Sequence, residues 1–420
     1  MALPFGVVRR RITRGVTAIV RPDPALGFVA LNVWHGVGSL HDPPGKSGLA
    51  HVVEHVLFGA VENGVKPTHH GGSANATTSF ERTIYVGTGA PDTLPALLSQ
   101  AVQRLKPADE GIAPPALNLH CRVVLEEIRQ REASARFGSG LRRSLRLLFG
   151  TDHPFGKPPL GRPEEIEAIT ASDVEEFIER AYRSAPVIVS LVGSVEPEYA
   201  LDLLARCFAE LPSECRSSDH RRVASAVGGY RREDVREGQP TGMLRYTFAL
   251  PAEGEPLAVA GEVAMSALAG ATWAAIGNEL VREYGLFGAS AQHLRCGTGS
   301  SLGLVKVSVP AGVNLDQLDQ AVTERWRSLA GSGLDEGVLT AARARRGKEY
   351  LAVLSRARAC GEELCHQEAW WGGAARSDER LRAIRSVSGA QVAEIAAQYL
   401  TDPVLIAFHA DQQRSTSWIA

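Results

Sequence analysis

Apolar positions recur along this chain with two different periods. Leu49, Val52, Val53, Val56 and Leu57 fall at i, i+3, i+4, i+7 and i+8, one stripe of a 3.6-residue helix. A second helical stretch is expected from about Pro115 to Arg136. Apolar runs at Val187–Val192 and Val404–Phe408, and the segments Val29–Trp34 and Leu244–Ala249, read as strands. Two of these runs are introduced alike: Tyr182-Arg183-Ser184-Ala185-Pro186 leads into Val187, and Tyr399-Leu400-Thr401-Asp402-Pro403 leads into Val404. The strand Val29–Trp34 likewise has a counterpart in Leu244–Ala249. An internal repeat of about half the chain follows. The polar stretch from Pro212 to Pro240, with Ser217-Ser218 and Gly228-Gly229, reads as the connection between the halves. The expected division is a first domain over 1–216, a linker over 217–236 and a second domain over 237–420.

Composition narrows the classes. A chain of 420 residues exceeds one typical core. Its formal net charge of −2 gives no pointer to nucleic acid. There is no run of eighteen apolar residues to span a membrane, and Met1-Ala2-Leu3-Pro4 lacks the apolar core of a signal peptide. Six unevenly spaced cysteines form no disulfide framework. The expectation is a cytoplasmic protein with free thiols.

The chemistry concentrates in His51-Val52-Val53-Glu54-His55. His51, Glu54 and His55 lie on the helix side opposite the apolar stripe, since positions three and four apart share a face. H-x-x-E-H is the inverted zinc-peptidase arrangement, two histidines holding metal and the Glu acting as base. A catalytic zinc needs three protein ligands and an open position. The second helical stretch offers Glu126 and Glu127, which point about 100° apart. Spacing alone does not choose between them. A C-x4-C-H cluster at Cys360, Cys365 and His366 lies in a continuous helical stretch without a partner pair, so packed cysteines are the expected reading there.

Gly48-Leu49-Ala50-His51-Val52-Val53-Glu54-His55-Val56-Leu57-Phe58 resembles the signature of the M16 metallopeptidases, the pitrilysin, insulinase and mitochondrial-processing-peptidase family. Val123-Val124-Leu125-Glu126-Glu127 resembles the family's V-I-x-x-E helix, and this resemblance selects Glu127 as third ligand. Gly71-Gly72-Ser73-Ala74-Asn75-Ala76-Thr77-Thr78 is similar to its G-G-x-x-N-A-x-T strand. His153-Pro154-Phe155-Gly156, followed by Leu160-Gly161, is similar to its H-P-Y-G…G loop. Gly15–Val20 looks like the family's first strand, which competes with reading Arg9, Arg10, Arg11 and Arg14 as an organelle transit segment.

The resemblance implies an α+β fold of two homologous domains, each a mainly antiparallel sheet covered by helices, the LuxS/MPP-like metallohydrolase fold. It implies Zn²⁺ held by His51, His55 and Glu127, with Glu54 taking a proton from water and passing it to the leaving amine. It implies peptide substrates docked by β-augmentation on an edge strand at Asn75 and Ala76. His120, two turns before Glu127, stands where the family usually has Glu; an orienting role behind the ligands and a partly exposed helix histidine are both compatible with its place. Arg282, in Val281-Arg282-Glu283-Tyr284-Gly285-Leu286-Phe287-Gly288-Ala289, matches the family's substrate-binding Arg, but Gly288 or Ala289 stands where its Tyr belongs. The expected function is a zinc endopeptidase acting on unstructured peptides or leader segments inside a dimeric chamber. The partner is a second chain of the family supplying Arg and Tyr, or a second copy of this one. A non-catalytic peptide-binding or scaffold subunit is the alternative.

Overall fold

A computed structural model describes residues 6–60, 72–105, 112–134, 139–209, 229–268 and 278–411. The chain runs β1 (Val8–Arg11), β2 (Val16–Pro22), β3 (Val29–His35), α1 (Leu49–Ala60), β4 (Ser73–Thr78), β5 (Thr83–Gly89), α2 (Leu94–Gln103), α3 (Pro114–Ser134) and α4 (Ser139–Phe149). Next come α5 (Pro163–Ile166), α6 (Ala171–Phe177), β6 (Val187–Gly193) and α7 (Pro197–Phe208). The remainder is β7 (Arg231–Gln239), β8 (Gly242–Leu250), α8 (Ala258–Leu268), α9 (Asn278–Glu283), β9 (Gly288–Leu294), β10 (Ser301–Val309), α10 (Leu315–Ser332), α11 (Glu336–Leu354), α12 (Ala357–Trp371), α13 (Ser377–Ser386), α14 (Gly389–Tyr399) and β11 (Val404–Ala410).

Two compact units result, the first from 1–130, 157–220 and 351–378, the second from 131–156, 221–350 and 379–420. The first unit's sheet has the order β1-β2-β6-β3-β5-β4 and the second's β7-β11-β8-β10-β9. Each is antiparallel except for one pair, β2 with β6 and β7 with β11. The expected α+β class with two similar, mainly antiparallel sheets is therefore present. The two Tyr-x3-Pro elements lead into β6 and β11, which hold matching places inside their sheets.

The expected boundaries differ from these units in two respects. β7 begins at Arg231, inside the stretch read as linker, and the segments 131–156 and 351–378 each join the sheet built by the other half of the sequence. The reason lies in the second face of each sheet. In the first unit, Val29, Leu31, Val33, Val187, Val189 and Leu191 face a core shared with α1, α2 and α3. The alternate residues point the other way, and α12 covers them. Ser190 Oγ donates to Gly361 O at 2.8 Å. Arg21 Nη1 donates to Leu354 O and to Cys360 Sγ, both at 2.9 Å. All seven residues of β3 are buried as a result. Cys360 and Cys365 are fully buried packing residues on this face, and no described cysteine is in a disulfide.

One strand was missed in the sequence. β1 precedes Gly15–Val20 and pairs with it antiparallel, Arg9 opposite Ile19 and Arg10 opposite Ala18. Its arginines form ion pairs on the surface, Arg10 with Glu198 and Asp202, both at 2.7 Å. A short edge strand ending in three successive arginines, in which only burial alternates, carries little apolar periodicity to read. Among the described residues no helix is long and apolar enough to cross a membrane.

Candidate metal centre

The centre is built on α1, whose entry is fixed by backbone geometry. Gly48 adopts φ +97°, a region L side chains avoid. A Cβ on it would lie 2.8 Å from Gly161 Cα, so the glycine after Leu160 in the expected loop packs directly on the start of the helix. Asp42 closes the first turn, its carboxylate accepting from Gly48 N at 2.7 Å and Ala50 N at 2.8 Å. Burial pushes the Asp42 carboxyl up to about 7 against the opposing pull of those two donors. His153 and Phe155, from the same loop, stack on Phe149 in the second unit instead.

With α1 so anchored, Val52 and Val53 are buried in the core and the opposite face presents the polar set. His51 and Glu54 are only 5% and 7% exposed. The imidazoles of His51 and His55 stand edge to face with centroids 4.8 Å apart. From α3, Glu127 Oε2 lies 3.4 Å from His51 Nε2 and 3.5 Å from His55 Nε2. These three donor atoms lie within 4.8 Å of one another and form the one such group among the described residues. Glu126 points elsewhere, accepting from Arg129 at 2.9 Å and Gln130 at 3.3 Å on the exposed side of α3. Cys360, Cys365 and His366 form no such group.

The remaining expected residues divide. Asn75 and Ala76 lie on β4, the outer strand of its sheet, opposite Val86 and Tyr85. Asn75 is exposed and turned back on its own strand, its Oδ1 accepting from Ala76 N at 2.9 Å. His120 seats its ring against α1 one turn beyond His55: a Cβ on Gly59 would lie 2.7 Å from His120 Cε1. Arg282 is exposed on α9 of the second unit, and Gly288 and Ala289 open β9.

Sequence reasoning missed two features here. Thr78 Oγ1 donates to Glu54 Oε2 at 2.6 Å; Thr78 closes the G-G-x-x-N-A-x-T match, and alternation along β4 puts it on the side opposite Asn75. His35, fully buried on β3, packs against the rings of Tyr85 and Tyr182 at centroid distances of 5.8 and 5.3 Å. Nothing in the sequence marks its neighbours.

Two similar sheets, an inverted His pair and a carboxylate from a second helix define a metallopeptidase-type architecture. Residues 18–108 match the family model described as Insulinase (Peptidase family M16), and residues 168–346 match that of the Peptidase M16 inactive domain. The chain belongs to peptidase family M16. An uncharacterized zinc protease of Mycobacterium leprae is 30% identical over 218 residues, 48% of this chain and 46% of that protein. The chain thus spans about half the length of such curated relatives in these alignments. The mitochondrial-processing peptidase subunit beta of Blastocladiella emersonii is 24% identical over 425 residues, covering 93% of this chain and 86% of that one. In fold, the crystal structure of a protease from Helicobacter pylori superposes with a TM-score of 0.83 at 18% identity, covering 96% of this chain and 99% of that one.

Proposed function

We propose that the chain is a zinc-dependent endopeptidase of unstructured peptides or leader segments, acting in the cytoplasm as the catalytic member of a pair of family chains. The observation that carries this reading is the convergence of His51, His55 and Glu127 from two helices, with Glu54 beside them. The donor set suits zinc. Tetrahedral ligation at about 2.0–2.2 Å puts donor atoms roughly 3.3–3.6 Å apart, and Glu127 Oε2 stands 3.4 and 3.5 Å from the two imidazole nitrogens. Zinc held there supplies Lewis acidity and an activated water.

The chain's own groups do the rest. Glu54, buried and on the same helix face as the histidines, takes a proton from the attacking water and delivers it to the leaving amine. β4 is the outer strand of its sheet among the described residues, and a peptide adds to it as a further strand at Asn75 and Ala76. Recognition through main-chain groups reads an extended backbone more than side chains, which favours unfolded substrates. His120 keeps α3 at its spacing from α1, and so holds Glu127 at the histidines. Arg282 binds substrate, while a partner chain provides the tyrosine that Gly288 and Ala289 do not. A homodimer is the other form of this pairing.

One observation favours a second reading: the same Gly288–Ala289 gap fits a peptide-binding or scaffold subunit without turnover. Cleavage of a quenched unstructured peptide library by the zinc-loaded chain, alone and with candidate partner chains, decides between them. Glu54→Gln should keep its zinc and lose about 10²–10⁴-fold or more of the rate. Equal cleavage by that variant would refute the peptidase assignment, and no cleavage by any wild-type combination would leave the scaffold.

A further inference from the structure

We propose that Thr78 is the positioning residue of the base: its hydroxyl fixes the Glu54 carboxylate, and it does so from the strand on which the substrate docks. The inference rests on the peptidase reading for its catalytic meaning, and on geometry of its own for the rest.

Thr78 Oγ1 lies 2.6 Å from Glu54 Oε2, within the range of a charge-assisted O–H···O⁻ bond. It is the one hydrogen bond that Glu54 makes among the described residues. A carboxylate only 7% exposed depends on such a donor, because an unsatisfied buried acceptor carries its full desolvation cost. The direction of the bond follows from the neighbours. Thr83 Oγ1 stands 3.2 Å from Thr78 Oγ1, but its own proton goes to Val37 O at 2.9 Å. The Thr78 proton therefore has two oxygens in reach, and the charged and nearer one takes it.

The hydroxyl is also held in place. Thr78 pairs with the fully buried Thr83 across β4 and β5. The turn beyond it is closed by Ser79 N donating to Arg82 O at 2.8 Å. Ser39 N and Leu40 N donate to Ser79 O and Phe80 O at 3.0 and 2.8 Å, and these residues belong to the segment that leads into α1. The strand end and the metal-bearing helix are thus tied through one short stretch of backbone. Since Asn75 and Ala76 precede Thr78 on β4, a peptide added to that edge rigidifies the element that aims the base. Thr78 acts through Glu54 and not on substrate, so its loss should fall on turnover and not on binding.

The test compares zinc-loaded Thr78→Val, Thr78→Ser and Glu54→Gln with wild type. Valine keeps the branched shape and strand preference while removing the donor; serine keeps the donor. Thr78→Val should lower kcat about 10–100-fold, the loss expected for one hydrogen bond to a charged group. KM should stay within about twofold and zinc content should be unchanged, since only a transition-state interaction is lost. Thr78→Ser should recover most of the rate. Wild-type kcat in Thr78→Val, or a Thr78→Ser as slow as Thr78→Val, would overturn the proposal. A second readout does not need activity. In crystals of zinc-loaded Thr78→Val the Glu54 carboxylate should leave its wild-type position, and an unmoved Glu54 overturns the proposal whether or not the chain cleaves peptides. Failure of the peptidase reading shows separately, as cleavage that survives Glu54→Gln.

Discussion

Glu127 Oε2 lies 3.4 Å from His51 Nε2, and this single approach turns two histidines on a helix into a three-donor site. It depends on α3 presenting Glu127 and not its neighbour. Glu126 is committed to Arg129 and Gln130 on the outer side of the same helix.

The metal should accordingly discriminate between adjacent glutamates. Glu127→Ala is expected to weaken zinc binding by at least about 100-fold, beyond the roughly 10–100-fold typical of groups that merely support a ligand. Glu126→Ala removes a surface ion pair and should leave binding within about twofold of wild type. Competition with a zinc-chelating dye measures both. Equal retention in the two variants would remove Glu127 from the ligand set.

A stability prediction concerns α12. A Cβ on Gly361 would meet the side chain of Asn32 inside van der Waals range and lie 2.7 Å from Ser190 Oγ. The flanking Ser190–Gly361 hydrogen bond keeps the helix from lifting away. Gly361→Ala should therefore destabilise the first unit by about 1–3 kcal/mol, as overpacking of a filled interior does. Urea denaturation followed by tryptophan fluorescence measures it. A midpoint equal to wild type would mean that the close approach of α12 to β3 is relaxed in solution.

His35 gives a pH dependence with a definite sign. Burial lowers its imidazole from the ordinary 6.5 to about 3, and both ring nitrogens are buried without a hydrogen-bond partner among the described residues. Between those values the unfolded chain binds a proton that the folded chain refuses. Stability from this group is therefore complete above about pH 6.5 and is lost as the pH falls. His35→Phe removes the titrating group, so between pH 7 and 5 it should lose about 1–2 kcal/mol less stability than wild type. Both proteins are to be unfolded in excess chelator, which keeps metal release out of the comparison. Parallel pH profiles would show that His35 is protonated or hydrated in the folded state.

The limits of the sequence are visible in particular residues. Local periodicity was enough for α1, because its valines and its His51-Glu54-His55 face obey one 3.6-residue repeat within a dozen positions. β6 and β11 were equally legible, since a strand buried on both faces is a short, nearly continuous apolar run, broken in β6 only by Ser190. β1 was not, because a four-residue edge strand with three successive arginines buries too little to leave a pattern. The exchange of α4 and α12 between the halves left no trace either: an amphipathic helix states that it has a buried face, not which sheet will cover it.

The sequence by itself determined the inverted histidine pair, its helix, the repeat and the strands at the centre of each sheet. All of these follow from interactions among residues a few positions apart, or from runs of one character. Residue spacing left Glu126 and Glu127 equivalent and only a family resemblance favoured the second; the tertiary structure brings Glu127 to His51 and His55, seats His120 against Gly59 and sets Thr78 on Glu54. Those outcomes depend on where distant segments come to lie. That is settled by the packing of whole helices and strands, which no local pattern encodes.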